Sequence, residues 1–350
     1  MKKLLLLALA ACTRPGEGRA LDELTVGHAE IEFAKVDVTE GLAVVRELSD
    51  GKLDLWSGAP VLDLTFTTDA GAWTIVARNS LADAVLTVDG AVFARQPGDA
   101  PTTATFQVTL TAGTHQLRVA PPDADTVAPF RYIAMADIQT ALPIVDQVFT
   151  RINEVPNARF VAAMGDITER GEVDEYDLFD RQLTVLEIPY YTTLGNHELW
   201  GGAQRFYDHY GRASFHFTFK GTAFTFADSG DAGIDPIVED WIDGWLDEAK
   251  DQPHVFLTHI PPIDPVGLRY GAFRSYRDAH RLLEKLAQGR VDLTLYGHIH
   301  TLVEFENAGI PAFVSGGGGA EPMKGDGIDR HFLVIDTDGP HSTVDVVRVD

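Results

Sequence analysis

Between Phe130 and His300 the chain repeats one pattern five times: a short apolar run that stops at a cluster of oxygen- or nitrogen-bearing side chains. RYIAMAD ends in Asp137-Ile138-Gln139, RFVAAMG runs into Asp166-Ile167-Thr168-Glu169-Arg170, and PYYTTL ends at Gly195-Asn196-His197-Glu198. HVFLT ends at His259, and VDLTLY ends at Gly297-His298-Ile299-His300. Interleaved with these runs are LPIVDQVFTRINEV, VDEYDLFDRQLTVL and PIVEDWIDGWLDEA, whose apolar residues recur at helical spacing. Continuous apolar strands separated by amphipathic helices belong to sheets covered on both faces, so the pattern predicts an α/β core. In open α/β folds the loops at strand carboxyl ends build the site, and here those ends carry the polar clusters.

Residues 21–125 follow a different rule. Alternating runs such as VLDLTFTT, WTIVARN, AVLTVDG, TFQVTLTAG and HQLRVAP, set between Gly, Asp, Asn and Pro turn signals, predict a small antiparallel, immunoglobulin-like β-sandwich. Hairpins are expected through Asp89-Gly90 and through Ala112-Gly113. This region holds no cluster of His, Cys or Glu, which suits an accessory domain or spacer, or a module that binds a sugar or a partner. PPDADTVAPF marks the boundary, leaving 126–350 as the second domain. Ahead of both, MKKLLLLALAAC reads as an export signal over residues 1–11. Leu9-Ala10-Ala11-Cys12 resembles the lipobox of bacterial lipoproteins, which implies lipidation at Cys12 and anchoring of an exported protein at the cell envelope, on its periplasmic or surface side. The alternative is an ordinary signal peptide. Cys12 is the sole cysteine, so no disulfide supports the fold, and residues 12–20 read as a flexible tether.

With 52 acidic against 28 basic residues the formal charge is -24, which argues against attraction to nucleic acid or to an anionic membrane surface. An anionic substrate would need a local positive charge to override that field, and a bound pair of metal ions supplies one compactly. Any one strand-end cluster has an ordinary explanation in a helix cap or a turn. Five in succession are the oxygen and nitrogen donors that two divalent cations require, with one carboxylate free to bridge.

The ordered set D-x-Q, G-D-x-x-E-R, G-N-H-E, H and G-H-x-H resembles the calcineurin-like metallophosphoesterase superfamily, which includes the purple acid phosphatases and bacterial phosphodiesterases, over about Phe130 to Asp350. The resemblance implies a four-layer αββα sandwich and a phosphoester hydrolase whose nucleophile is a hydroxide bridging two metals. It assigns Asp166 to the bridge, Asp137, Gln139 and His300 to the first ion, and Asn196, His259 and His298 to the second. His197 is left to face the substrate as general acid, oriented by Glu198, Asp166 or a more distant carboxylate, and Arg170 to approach the phosphate or to anchor a helix start.

Two positions depart from the pattern. Gln139 stands where most members have histidine, and Glu169 where purple acid phosphatases place a tyrosine. An amide oxygen is a harder donor than imidazole, so Mn²⁺ or Fe²⁺ is favoured, with Zn²⁺ still accommodated. The run PPIDPVGLRYGAFRSYR places Arg269 and Arg274 as candidate substrate contacts, and Trp200 and Lys324 are candidates for the same cleft. A phosphomonoester, a phosphodiester and a phospholipid headgroup all fit this motif set. Two competing readings are non-catalytic: an envelope lipoprotein with a degenerate domain, supported by Gln139 alone, and an adhesion protein whose sandwich is the functional part.

Overall fold

A computed structural model describes residues 15–267, 271–323, 327–339 and 341–350. Cys12 and the export signal, Arg269 and Lys324 lie outside the described residues.

The first domain is a two-sheet β-sandwich. One sheet has six strands in the order His28–Ile31, Ala34–Val38, Leu62–Thr68, Gly113–Ala120, Val85–Val88 and Ala91–Phe93, every pair antiparallel. The other has four, Ala43–Ser49, Lys52–Ser57, Gly71–Arg78 and Thr103–Leu110, with a parallel pairing between its middle two. Inward residues of both sheets, among them Val36, Leu64, Phe66, Trp73, Ile75 and Phe106, form one core. The expected hairpin at Asp89-Gly90 is present, with both residues at positive φ as a tight two-residue turn demands.

The expected hairpin at Ala112-Gly113 is not. Thr103–Leu110 pairs with Gly71–Arg78 while Gly113–Ala120 pairs with Leu62–Thr68, so the chain crosses from one sheet to the other at that turn. A turn signal specifies a change of direction but not which sheet receives the next strand.

The second domain has two mixed sheets. The first runs Tyr190–Thr192, Ala158–Ala163, Phe130–Met135, His331–Asp338 and His341–Arg348, its first three strands parallel. The second runs Phe215–Phe219, Thr222–Ala227, His254–Thr258, Leu293–Tyr296, Ile310–Ser315 and Leu302–Asn307, parallel across its four middle strands. Strand alternation sorts the side chains. Tyr132, Ala134 and Phe160 face inward onto Phe217, Phe224, Leu257 and Leu295 of the opposite sheet. Ile133, Met135 and Val161 face outward onto the helices Asp146–Asn153 and Val173–Leu183. Phe256 likewise faces the helices Pro236–Glu248 and Tyr276–Gln288. The layers are therefore helix, sheet, sheet, helix, as the motif resemblance implied.

Local rules explain the element ends. Asp235 accepts a hydrogen bond from the N–H of Ile237 and Ser275 one from that of Asp278, capping their helices. The segment expected as one helix after Gln139 splits into a 3₁₀ turn, Gln139–Ile144, and a helix, Asp146–Asn153. Pro143 lies within the turn, lacks an N–H and disfavours the α conformation of its predecessor.

The tether reading is corrected from residue 15 onward: Pro15–Glu23 is a helix docked on the second domain. Its Arg19 side chain, 14% exposed, pairs with Asp228 and Asp231, and its buried Glu23 accepts from the N–H of Ser214. The polar composition that suggested flexibility instead serves partners distant in sequence. The two domains are joined through Asn79, which donates to the carbonyls of Ser57 and Tyr190 and accepts from the N–H of Tyr190.

Candidate metal centre

Five parallel strands, three in one sheet and two in the other, direct their carboxyl ends to a common edge, and the candidate residues begin one to four residues past each end. To turn at once the chain adopts positive φ at Asp137, Gln139, Asp166 and His298, a conformation that costs a non-glycine residue about 1–2 kcal/mol. Gly195 is required for another reason. A Cβ there would lie 2.0 Å from Asp166 Oδ1, so only hydrogen leaves the carboxylate its place.

Asp166, Asp137 and His259 are buried, with Gln139 and His300 nearly so. His259 Nε2 lies 3.2 Å from Asp166 Oδ2 and 3.1 Å from Asn196 Oδ1. His300 Nε2 lies 3.5 Å from Asp137 Oδ1. One donor atom from each of Asp166, His259 and His298 falls within 4.8 Å of the others. Each of two histidines spends its other nitrogen on a backbone carbonyl, His259 Nδ1 on Met164 at 2.6 Å and His300 Nδ1 on Glu321 at 2.7 Å. A carbonyl only accepts, so Nδ1 carries a proton and Nε2 is the nitrogen turned toward the carboxylates, as metal-binding histidines are held.

Asp137 Oδ2 accepts the N–H of His298 at 2.8 Å, whereas the buried Oδ1 accepts no hydrogen bond from any described residue. A buried carboxylate oxygen without a donor is costly unless a cation satisfies it. The electrostatics agree. Burial opposes ionisation of Asp166, yet the facing His259 imidazole holds its carboxyl well below the usual range. Burial likewise opposes a proton on His259, but Asp166 and Asp137 raise it to about 9. The negative field that retains that proton is the one a divalent cation would satisfy. The donor set thus fits divalent cations, and Asp166 Oδ2 lies 2.7 Å from Gln139 Nε2 and 3.2 Å from His259 Nε2.

Gln139 is brought into the centre, its Nε2 2.7 Å from Asp166 Oδ2 and 3.3 Å from His300 Nε2. In this rotamer the amide donates to the bridging carboxylate, and a half-turn about its last bond presents Oε1 instead. His197 is half-buried, its backbone N–H donating to Asp166 Oδ1 at 2.9 Å. Its Nδ1 donates to the carbonyl of Glu169 at 2.6 Å and lies 3.7 Å from the Glu169 carboxylate, while Nε2 is 3.9 Å from Asp166 Oδ2.

Glu198, which the resemblance offers as an orienter of His197, has another task. Its carboxylate accepts from the N–H groups of Asp166, Thr168 and Gly195 and from the Thr168 hydroxyl, fastening two ligand loops together. Burial and the Asp166 charge raise its pKa.

Two cavities flank the centre. One of 870 Å³ is lined by Asn196, His298, Trp200 and Arg274 among others, and one of 430 Å³ by Gln139, His197 and His300 with Glu169 and Glu321. Arg170 is exposed and is among the lining residues of neither. Its N–H is bound by Glu175, which also takes those of Glu169 and Glu172 and so ties the loop after Asp166 to the start of a helix. That favours the second of its two sequence readings, a helix-start anchor. The carbonyls of Met164, Glu169 and Glu321 carry no sequence signal. Glu175 does, as the third helical residue after Glu172 in a reciprocal cap.

Residues 130–302 match the family model described as calcineurin-like phosphoesterase. Among solved structures, purple acid phosphatase PPD1 from yellow lupin (Lupinus luteus) seeds aligns with a TM-score of 0.56 at 13% identity, covering 83% of this chain and 70% of that one. PhoD aligns with a TM-score of 0.49 at 10% identity, covering 83% and 87%. A dimetal phosphatase from Danio rerio aligns with 0.45 at 13%, covering 65% and 100%. No curated protein sequence matches the chain. The yellow lupin likeness speaks for the fold, and the family match for the domain that carries the centre. That match places the domain carrying the centre with the calcineurin-like phosphoesterases.

Proposed function

We propose that the protein hydrolyses phosphoesters at a centre of two divalent cations. Asp166 would be shared between them, with Asp137, His300 and Gln139 on one and Asn196, His259 and His298 on the other. The observation that carries this reading is the orientation of His259 and His300, each committed through Nδ1 to a carbonyl and turning Nε2 toward a buried carboxylate. Two such cations would supply hydroxide at neutral pH and neutralise charge on the phosphoryl oxygens. Mn²⁺ or Fe²⁺ is the favoured pair, because an amide oxygen replaces an imidazole at Gln139.

The chain's own groups do the rest. With Nδ1–H held by the Glu169 carbonyl, a protonated His197 presents Nε2–H to the smaller cavity and can give that proton to a departing alkoxide. The Glu169 carboxylate lies 3.7 Å from that Nδ1. Export and lipidation at Cys12 form part of the proposal and rest on the residues before 15. The test is hydrolysis of aryl and alkyl phosphoesters by the chelated chain, with Mn²⁺, Fe²⁺ or Zn²⁺ added back singly. Turnover that returns with metal supports the reading. A folded protein inert with every metal overturns it in favour of a non-catalytic binding protein.

A further inference from the structure

The candidate ligands separate two cavities of opposite chemistry. The larger has Asn196 and His298 in its lining, and Leu199, Trp200, Ile260, Ile263, Phe273 and Tyr276 supply its apolar wall. Three of these remain open to solvent, Ile263 at 40%, Trp200 at 65% and Tyr276 at 79% exposure. Large apolar side chains left exposed around a concavity mark a surface that receives an apolar group.

The acidic residues of this cavity are occupied elsewhere. Asp231 pairs with Arg19, and Asp264 accepts the N–H groups of Val266 and Gly267, both at 2.8 Å. Arg274, an exposed residue, also lines the cavity, a basic side chain in a chain of net charge -24. The smaller cavity is the more polar, with Gln139, Thr140, Glu169, His197, His300 and Glu321 in its lining beside Pro322 and Met323.

Of the two cavities, His197 lines only the smaller. An alcohol that receives its proton must therefore depart on that polar side, and a group that stays on phosphorus lies toward the apolar one. A phosphomonoester has no retained organic group and would leave the larger cavity empty. Resting on the hydrolase reading, we propose that the substrate is a phosphodiester with unlike halves, an apolar or aromatic group that is retained and a polar alcohol that leaves. Water supplies the oxygen of the new P–O bond. The P–O bond to the polar alcohol breaks with its electron pair on the departing oxygen, His197 protonates that oxygen, and the proton lost by water returns to His197 or to solvent. The products are the alcohol and a phosphomonoester bearing the apolar group.

The experiment compares p-nitrophenyl phosphate with methyl p-nitrophenyl phosphate and phenyl p-nitrophenyl phosphate, using the metal-reconstituted chain. The activated leaving group is common to all three and the two diesters carry the same charge, so their kcat/KM ratio reads the retained group. The phenyl diester is expected to exceed the methyl diester by about tenfold or more, and both to exceed the monoester. In Ile263→Ser, a substitution at a half-open position, the phenyl-to-methyl ratio is expected to fall severalfold. Metal-dependent turnover with equal values for methyl and phenyl, or with the monoester preferred, overturns the inference and leaves the hydrolase reading standing. Absence of turnover on all three with every metal overturns both.

Discussion

Glu198→Gln separates a loop-fastening role from an acid-orienting one. The Glu198 carboxylate is buried and accepts four hydrogen bonds, two on each oxygen. Oε2 receives the N–H groups of Asp166 at 3.0 Å and Gly195 at 2.6 Å, and Oε1 the N–H and hydroxyl of Thr168 at 2.9 and 2.8 Å. Glutamine replaces one oxygen by an NH₂ that faces two of these donors. Hydrogen bonds to a charged acceptor contribute about 1.5–3 kcal/mol each. Two offsets reduce the loss: the Thr168 hydroxyl can turn to accept, and a neutral amide removes the repulsion between Glu198 and Asp166. A net destabilisation of about 2–3 kcal/mol is expected, read as a lower urea midpoint in the metal-free variant. Calorimetric titration should show weaker metal binding, because the loops carrying Asp166 and Asn196 are loosened. The ratio of rates for aryl and alkyl leaving groups should not change. A variant within about 0.5 kcal/mol of the parent, with its loss confined to poor leaving groups, would show instead that Glu198 orients His197.

Arg19→Ala strips the partner from Asp228, whose side chain is only 6% exposed, and should lower stability by about 3 kcal/mol in urea unfolding. An unchanged midpoint would mean that the helix Pro15–Glu23 is not anchored there. His216 and His254 share the Thr225 hydroxyl in the core, and burial lowers their pKa values to about 4 and about 3. The unfolded chain takes up these protons near pH 6.5 while the folded one does not, so this stability is complete above pH 6.5 and is lost as pH falls toward 4 and 3. Each histidine should cost about 2 kcal/mol between pH 7 and pH 5. His254→Gln should flatten that decline by about the share of one histidine, and equal slopes in variant and parent would refute the assignment.

The parts of this molecule legible in sequence are those fixed by local order. Asp137, Asp166, Asn196, His259 and His298 each follow closely on the end of their own strand, so recognising the strands already orders the ligands along one edge. The hairpin at Asp89-Gly90 is equally local, a two-residue turn with both residues at positive φ. What escaped depends on partners far along the chain. Residues 15–20 read as polar linker, and 21–23 as the start of the sandwich, until Asp228, Asp231 and Ser214 are placed beside the helix they form. The strand Gly113–Ala120 reads as the return arm of a hairpin until Leu62–Thr68 claims it. For His197 the nearest carboxylate in sequence was a reasonable orienter, but its Nδ1 meets the backbone carbonyl of Glu169 because Glu198 is turned into the loop core. Backbone carbonyls have no sequence signature, and side-chain direction in a loop with positive φ follows no periodicity.

If Asp166 is shared by two cations, its loss must change how many the protein holds. Calorimetric titration of the chelated protein with Mn²⁺, beside Asp166→Asn shown to be folded by circular dichroism, counts them. Two ions are expected for the parent, with loss of at least one in the variant. Two ions bound with equal affinity by both proteins, or none by a folded parent, would refute the sharing of Asp166.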